Sequence, residues 1–347
     1  MAIRKCFKSD QLKQSKDIIF IYTNFNSFVR TDFDILSSFQ EVKLLQFKPV
    51  KGLLRTGVEM LKQFIALTIH IWKAEIVFVW FADFHSFLPV VFAKVLRKKS
   101  YVVIGGYEVC RINELNYGAL CSKFRGFFCI KSMQLCTLNL TVSKYIDRKV
   151  KYIAPGSKRE IVPNCVDFPK SSSMRLEKEN LILTVGIIEN ERTFFLKGID
   201  TFIEVAILLP EYQFLIIGID KFKLSHLLVR IPENVVVLPR LAHDLLPVYY
   251  EKAKFYCQLS RSESFGVSIA ESMFYGCIPI VTNEGGMPEL IGNTGHIVPR
   301  KPFEICELIR KCSLNNPDYR SKGSNRIVNN FSRDKRKDLL IELLSTN

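Results

Sequence analysis

What most constrains this chain is an alternation. Short runs rich in β-branched and aromatic residues are each followed by a longer segment with apolar residues at helical spacing. In the first half the strand candidates are residues 18–22, 42–47, 75–80, 101–105 and 138–142, with helical patterns at 30–39, 53–72, 88–97 and 118–136 between them. In the second half the strands are 181–185, 213–218, 235–238, 255–258, 278–282 and 296–298, and the helices include 198–209, 245–253 and 266–275. Apolar strands bounded by turns and alternating with helices predict parallel sheets covered by helices on both faces. A length of 347 residues corresponds to about two domains. The seam falls near Phe168, where Pro169-Lys170-Ser171-Ser172-Ser173 is polar, lacks periodicity and precedes a fresh strand–helix series. The expected architecture is therefore α/β: two Rossmann-like, doubly wound domains over residues 1–168 and 169–330, with a ligand crevice between the carboxyl ends of their strands. Residues 331–347 stand apart as an amphipathic helix, 333–343, after an irregular Asn-rich stretch.

Residues 75–96 are long enough to span a bilayer. Asp83, His85 and Lys94 interrupt them and Pro89 breaks them, so a buried strand, a loop and a helix are the expectation. Near the N-terminus the apolar run 18–22 is too short for a signal-peptide core. The ten cysteines are scattered, with no CxxC pair and no Cys/His cluster at metal-ligand spacing. A reduced, cytoplasmic protein with small buried thiols and no structural zinc follows.

The charge is uneven. Residues 1–170 hold 27 Lys and Arg against 13 Asp and Glu, a net +14, whereas residues 171–347 hold 22 against 21, a net +1. Such a field favours an anionic partner: nucleic acid, an acidic lipid surface or a phosphorylated substrate. Nucleic acid is disfavoured, because neither an aromatic-basic RNA-recognition motif nor a helix-turn-helix pattern is present. Residues 53–72 have a broad apolar face with Lys51, Arg55 and Lys62 around it, and Arg97-Lys98-Lys99 follows another helix. Both features suit an anionic membrane surface or a pyrophosphate-linked lipid acceptor, so a peripheral position at the inner face of the membrane is expected. A core helix with solvated ends is the competing reading of 53–72.

The densest chemical signal is Ser260–Glu271, SRSESFGVSIAE. It lies between a strand and a helix, at the carboxyl edge of a sheet. The backbone N–H groups of Phe265, Gly266 and Val267 would open that helix, and unpaired donors with the helix dipole make such a terminus an anion site. Glu263 lies just before the helix, and Glu271 one turn after Val267 on the same face. A carboxylate at Glu271 is suited to paired hydroxyls such as a ribose diol. Lys197 sits after the preceding strand's Gly186, where it can neutralise a diphosphate. Asn283-Glu284-Gly285-Gly286-Met287-Pro288-Glu289 is a further Gly-rich turn before a Pro-started helix.

Gly186, Lys197-Gly198, the E-x7-E of Glu263 and Glu271, FYGCIPIVTNEGGMPELI and IVPNCVDF together resemble the retaining glycosyltransferases of GT-B fold, family 4. The resemblance covers the second half nearly end to end. It implies that Glu271 holds the donor's ribose hydroxyls and Glu263 the donor sugar's hydroxyls. Phe265, Gly266 and Val267 would offer backbone contacts to sugar and diphosphate, and Lys197 would pair with the diphosphate. Residues 238–241, with Arg240 and Leu241, would line the base pocket through their backbone. The terminal helix is similar to one that crosses back onto the first domain. The implied activity moves a sugar from a nucleoside-diphosphate sugar to a glycan or lipid-linked acceptor, in cell-surface polysaccharide or glycolipid synthesis, with no cofactor and no metal. A non-catalytic partner subunit that binds a nucleotide sugar is the alternative.

Three departures stand out. Ile187 occupies the position where that family usually has Arg, leaving Arg192 as a candidate second cation. Asn24-Phe25-Asn26-Ser27-Phe28 replaces a Gly-rich turn after the first strand. No histidine lies beside Gly105-Gly106-Tyr107-Glu108, and His85, with Asp83, ends the preceding strand as a candidate catalytic or structural histidine. Asp32-Phe33-Asp34 forms a DxD triplet, but it falls inside a helical pattern without a nucleotide-binding context, so a metal site there is not expected.

Overall fold

The computed structural model describes residues 17–48, 50, 52–167, 177–220, 224–227, 231–312 and 317–345. Phe168 and the seam at 169–173 lie outside the described residues, as does Lys51. The first sheet has six parallel strands: β1 (Ile18–Tyr22), β2 (Val42–Gln46), β3 (Ile76–Trp80), β4 (Lys99–Ile104), β5 (Leu138–Thr141) and β6 (Arg159–Ile161), in the order β2-β1-β3-β4-β5-β6. Its helices are α1 (Ser27–Ser37), α2 (Leu53–His70), α3 (Phe84–Val95), α4 (Lys123–Leu135) and α5 (Lys144–Ile153). In the second sheet β7 (Glu179–Ile188), β8 (Gln213–Ile219), β9 (Val235–Leu238), β10 (Ala253–Gln258), β11 (Ile278–Thr282) and β12 (His296–Val298) run parallel in the order β12-β11-β10-β7-β8-β9. The helices of this half are α6 (Glu191–Leu196), α7 (Ile199–Leu208), α8 (Leu246–Lys252), α9 (Val267–Phe274), α10 (Met287–Ile291) and α11 (Pro302–Cys312). Two more, α12 (Pro317–Phe331) and α13 (Arg333–Ser345), end the chain. Each strand order reverses once, between β1 and β3 and between β7 and β10, and ligand crevices open at the carboxyl ends of such switch points.

Three sequence expectations change. The loop after β3 is only residues 81–83, and α3 starts at Phe84 rather than at 88, because the Asp83 side chain accepts the Phe84 N–H and Ser86 completes a capping box. Pro89 does not break this helix. It leaves the His85 carbonyl without its intrahelical donor, and the buried Gln63 Nε2 supplies one at 2.5 Å. From Pro317 onward the Asn-rich stretch is not irregular, since α12 covers it and buries Ser324 and Ile327 in packing against α9. Tertiary burial there outweighs the poor helix propensity of Asn and Gly. Among the described residues no helix is long and apolar enough to cross a membrane, and the nine described cysteines are free thiols.

The terminal helix returns to the first domain. Arg336 of α13 and Asp32 of α1 are 2% and 0% exposed and form a bidentate pair, Nε–Oδ1 2.5 Å and Nη2–Oδ2 2.7 Å. Trp80 Nε1 donates to Asp32 at 3.0 Å, and Arg336 Nη1 donates to the Val162 and Pro163 carbonyls. The DxD triplet is thereby accounted for: Asp32 is one half of a satisfied interior ion pair. Removing one partner strands a buried charge. Arg336→Met is therefore expected to destabilise by about 3–5 kcal/mol, read as a lower urea midpoint, with Asp32→Asn added to Arg336→Met recovering part of the loss.

Candidate active site

The second domain's switch point brings two loops together. The chain leaving β7 passes through α6 to Lys197, and the chain leaving β10 runs through residues 259–266 to α9. The Arg261 N–H donates to the Leu196 carbonyl at 2.8 Å and the Arg261 guanidinium pairs with Asp200 at 2.6 Å, fixing the loops side by side. Lys197 Nζ then meets Glu263 Oε2 at 2.6 Å, both groups partly exposed. Helix α9 begins at Val267 with Gly266 as N-cap, and no side chain caps its first N–H groups. The Phe265 side chain turns inward against Phe331, ring centroids 5.4 Å apart, so this residue faces the loop through its backbone. Gly285 closes the loop from behind. Its φ is +70°, a Cβ there would lie 1.7 Å from the Glu263 carbonyl, and the Gly286 N–H donates to that same oxygen at 2.8 Å.

Glu271, 7% exposed, lies four residues beyond Val267. Its Oε1 is 2.7 Å from His243 Nε2, and its Oε2 accepts from the Tyr250 hydroxyl at 3.0 Å. His243 directly follows the 239–242 loop, where Arg240 is exposed and Leu241 packs half-buried against the core. This places the loop beside the Glu271 carboxylate. The hydrogen bond from Glu271 raises the His243 pKa above its usual 6.5.

A cavity of about 320 Å³ opens at the first domain's switch point, lined by Thr23 and Asn24 after β1, Lys48 after β2 and residues 81–85 after β3. Its floor includes a buried His85, whose Nε2 lies 2.8 Å from the Trp80 carbonyl. A carbonyl only accepts, so Nε2 carries the proton, and burial lowers the His85 pKa and keeps the ring neutral. Asp83 takes the guanidinium of Arg125, Nε to both oxygens at 2.9 and 3.0 Å. Arg125 also donates to the Tyr107 hydroxyl at 3.1 Å. Glu108, 1% exposed, accepts the Gly105 and Gly106 N–H groups at 2.8 Å each, and burial pushes its pKa up to about 7 in spite of those donors.

The domains meet at this point. A Cβ on Gly106, φ +124°, would lie 1.7 Å from Ser264 Oγ. Ser143 Oγ donates to the Ser264 carbonyl at 2.8 Å, and the Lys144 N–H donates to Glu289 Oε2 at 2.8 Å. Tyr107 and Tyr117 contact edge to face at 5.2 Å, and burial together with the nearby Glu263 carboxylate raises the Tyr117 pKa. The first domain's cavity and the Lys197–Glu263 pair are thus linked through two tyrosines. Arg192 does not join the pair; its Nη1 reaches across to the Asn116 carbonyl at 3.3 Å. Ile187 is half-exposed on β7. Sequence reasoning missed Tyr107, Tyr117, Arg125, His243 and Tyr250. Each acts through a partner 18 or more residues away in the chain, or across the domain gap, and none sits in a local motif.

Geometry of this kind accompanies a sequence match over the second half. Residues 170–333 match the family of glycosyl transferases group 1. Among curated proteins no sequence relative reaches significance. Solved structures match the whole two-domain GT-B fold. The sucrose-phosphate synthase of Thermosynechococcus elongatus superposes with a TM-score of 0.77 at 14% identity, covering 95% of this chain and 98% of that one. A glycosyltransferase from Rickettsia africae gives 0.69 at 15% identity, covering 95% and 97%. HepE of Anabaena, solved with UDP and glucose, gives 0.70 at 14% identity, covering 95% and 99%. The matched segment therefore contains Lys197, Glu263, the α9 N-terminus and Glu271, whereas the cavity with His85 and Arg125 belongs to the half outside that match.

The His243–Glu271 contact carries a pH dependence. A histidine whose folded pKa is raised stabilises the fold fully below its unfolded value and loses that contribution as pH rises through the folded value. The melting-temperature gap between the protein and its His243→Gln variant is expected to be widest below about pH 6.5 and to close as pH rises through the raised folded value. A gap independent of pH would remove the ion pair.

Proposed function

We propose that the protein is a retaining glycosyltransferase that moves a sugar from a nucleoside-diphosphate sugar to a glycan or lipid-linked acceptor without a metal ion. One observation carries the reading: the Lys197 ammonium, held by Glu263, stands at the switch point beside the uncapped start of α9, with Glu271 one turn along. As the glycosidic bond to phosphate breaks, negative charge grows on the leaving phosphate oxygen. An ammonium and a row of backbone N–H groups already in place stabilise that charge without reorganising. The group 1 match over 170–333 and the similarity to HepE, solved with UDP-glucose, support a nucleotide-sugar donor.

In this mechanism Glu271 accepts from the ribose hydroxyls, displacing His243, and the backbone of 238–241 with Arg240 and Leu241 borders the base. Phe265, Gly266 and Val267 present N–H groups to the diphosphate and sugar. Glu263 orients Lys197 and receives the sugar's hydroxyls. Arg192, at the domain gap, is placed to swing toward the phosphates. The acceptor enters the first domain's cavity, where the neutral His85 is a candidate to orient the acceptor's hydroxyl by a hydrogen bond, its proton passing to the departing phosphate, and Arg125 with Tyr107 forms the wall next to the donor. The acceptor oxygen attacks from the face the phosphate leaves, and the departing phosphate assists with the proton, so no protein nucleophile is required. Domain contact at Gly106 and Ser264 excludes water from the bond being broken.

Lys197→Ala is expected to lower kcat by about 10²–10³-fold. Glu271→Gln is expected to raise the donor Kd by about tenfold with a smaller effect on kcat. A thermal-shift series with UDP-, GDP-, ADP- and dTDP-sugars identifies the base, because a bound donor raises the melting temperature by mass action. The exposed Ile187, where a second cation is common, keeps a non-catalytic donor-binding subunit as the second reading. Transfer of a radiolabelled sugar separates the two: binding without transfer, or Lys197→Ala with undiminished turnover, overturns the enzyme.

A further inference from the structure

Helix α2 packs the wrong way round for a core helix. Gln63 and Leu67 on one side, with Ile71 just past its end, are buried, whereas Leu54, Val58, Leu61, Ile65, Ile69 and Trp72 are 90, 54, 60, 51, 63 and 68% exposed. Their spacing of four, three, four, four and three places them on one helical face, a continuous apolar stripe about 27 Å long. Nothing among the described residues covers it. The stripe continues sideways, because α2 packs on α3 through Phe64 and Phe92, α3 packs on α4 through Phe84 and Phe124, and Val95, Phe124 and Phe127 are more than half exposed.

The charges around this surface select its occupant. Arg55, Lys73, Lys94, Arg97 and Lys123 are exposed on the same three helices and their ends, and the single acid of α2, Glu59, is matched by Lys62 at 2.7 Å. A second copy docked stripe to stripe would bring like charges together, whereas an anionic lipid surface satisfies them and receives the apolar side chains. Trp72 at one end suits the interface, where an aromatic ring with a polar N–H sits between lipid and water. The first domain's cavity lies under the opposite face of the same helix, where Thr56, Glu59, Met60 and Gln63 line it, so the stripe is free of the cavity. We propose that α2 lies in the surface of an anionic membrane, its stripe among the lipid chains and its basic neighbours at the headgroups. This membrane contact does not rest on the transferase reading.

The test uses the full chain and vesicles of phosphatidylglycerol and phosphatidylcholine, without donor. The protein has two tryptophans, and Trp80 is already 1% exposed, so a blue shift of emission on adding vesicles reports Trp72. Expected results are co-sedimentation with anionic but not pure phosphatidylcholine vesicles, weaker binding as salt rises, and a blue shift that Trp72→Phe abolishes. Leu61→Glu with Ile65→Glu is expected to cut the bound fraction at least about tenfold, while Phe303→Glu, an exposed apolar residue of the second domain, leaves it unchanged. Retained thermal unfolding of the double variant shows that it folds. Equal binding by the double variant, no binding of the protein to anionic vesicles, or a dimer that the double variant dissociates without change in lipid binding would each overturn the proposal. A protein that binds vesicles but transfers no sugar would leave the membrane contact standing and defeat the transferase reading alone.

Discussion

Everything in this molecule that resembles a site depends on how the two sheets are held with their carboxyl edges facing each other, and the buried pair between Arg336 and Asp32 is a directional tie that helps to do so. A guanidinium inside protein is tolerable only when its donors are used. Here Asp32 takes two and the carbonyls of Val162 and Pro163 take others, with Trp80 completing Asp32. The geometry of that fork is directional, so it sets the angle at which α13 lies on the first domain as well as holding it there. Because α13 follows directly after the second domain, its anchorage fixes where the second sheet sits. Contacts of small groups at the gap, Gly106 against Ser264 and Ser143 on the Ser264 carbonyl, are possible only with that placement.

Each charged group in the cleft has a partner that a ligand can replace. Lys197 is neutralised by Glu263, and Glu271 by His243 and Tyr250. Such pairs lower the desolvation cost of keeping charges in a half-buried cleft, and in the proposed reaction they would hold the side chains ready for a phosphate and a diol. The cost of ligand entry is then an exchange of hydrogen bonds rather than the assembly of a site. The first domain's cavity is arranged differently. There Arg125 and Asp83 saturate each other, Glu108 is buried on two backbone N–H groups, and His85 is held neutral, so little net charge faces the cavity.

How much of this was legible in the chain varied with the range of the forces involved. Strands β9, β11 and β12 were legible to the residue, since an apolar run between turn-forming residues has no other way to be buried. The start of α3 was not, because its helical reading hinges on Asp83 capping across to Ser86 and on Gln63, 22 residues away, repairing the gap that Pro89 leaves. The α12 segment was misread for a similar reason: its local propensity is poor and only packing on α9 makes it helical. For the site, Lys197, Glu263 and Glu271 stood out by their placement relative to strand ends. Arg125, His243 and the tyrosines did not, because nothing within a few residues of them distinguishes a cleft side chain from a solvated one.

By itself the sequence determined the class of architecture, two wound α/β halves, the position of the helix start after the Ser260–Gly266 loop, and the lopsided charge. These follow from local periodicity and composition, which act over a few residues or over the whole chain and need no knowledge of contacts. Only the tertiary structure decided that Asp32 serves an interior ion pair, that Tyr107 and Tyr117 join the cavity to the cradle, and that the apolar side of α2 faces outward. Periodicity shows that a helix has an apolar face but not which side of it meets the protein. That orientation is set by the long-range contacts of Gln63, Leu67 and Ile71, whose partners are remote in the chain.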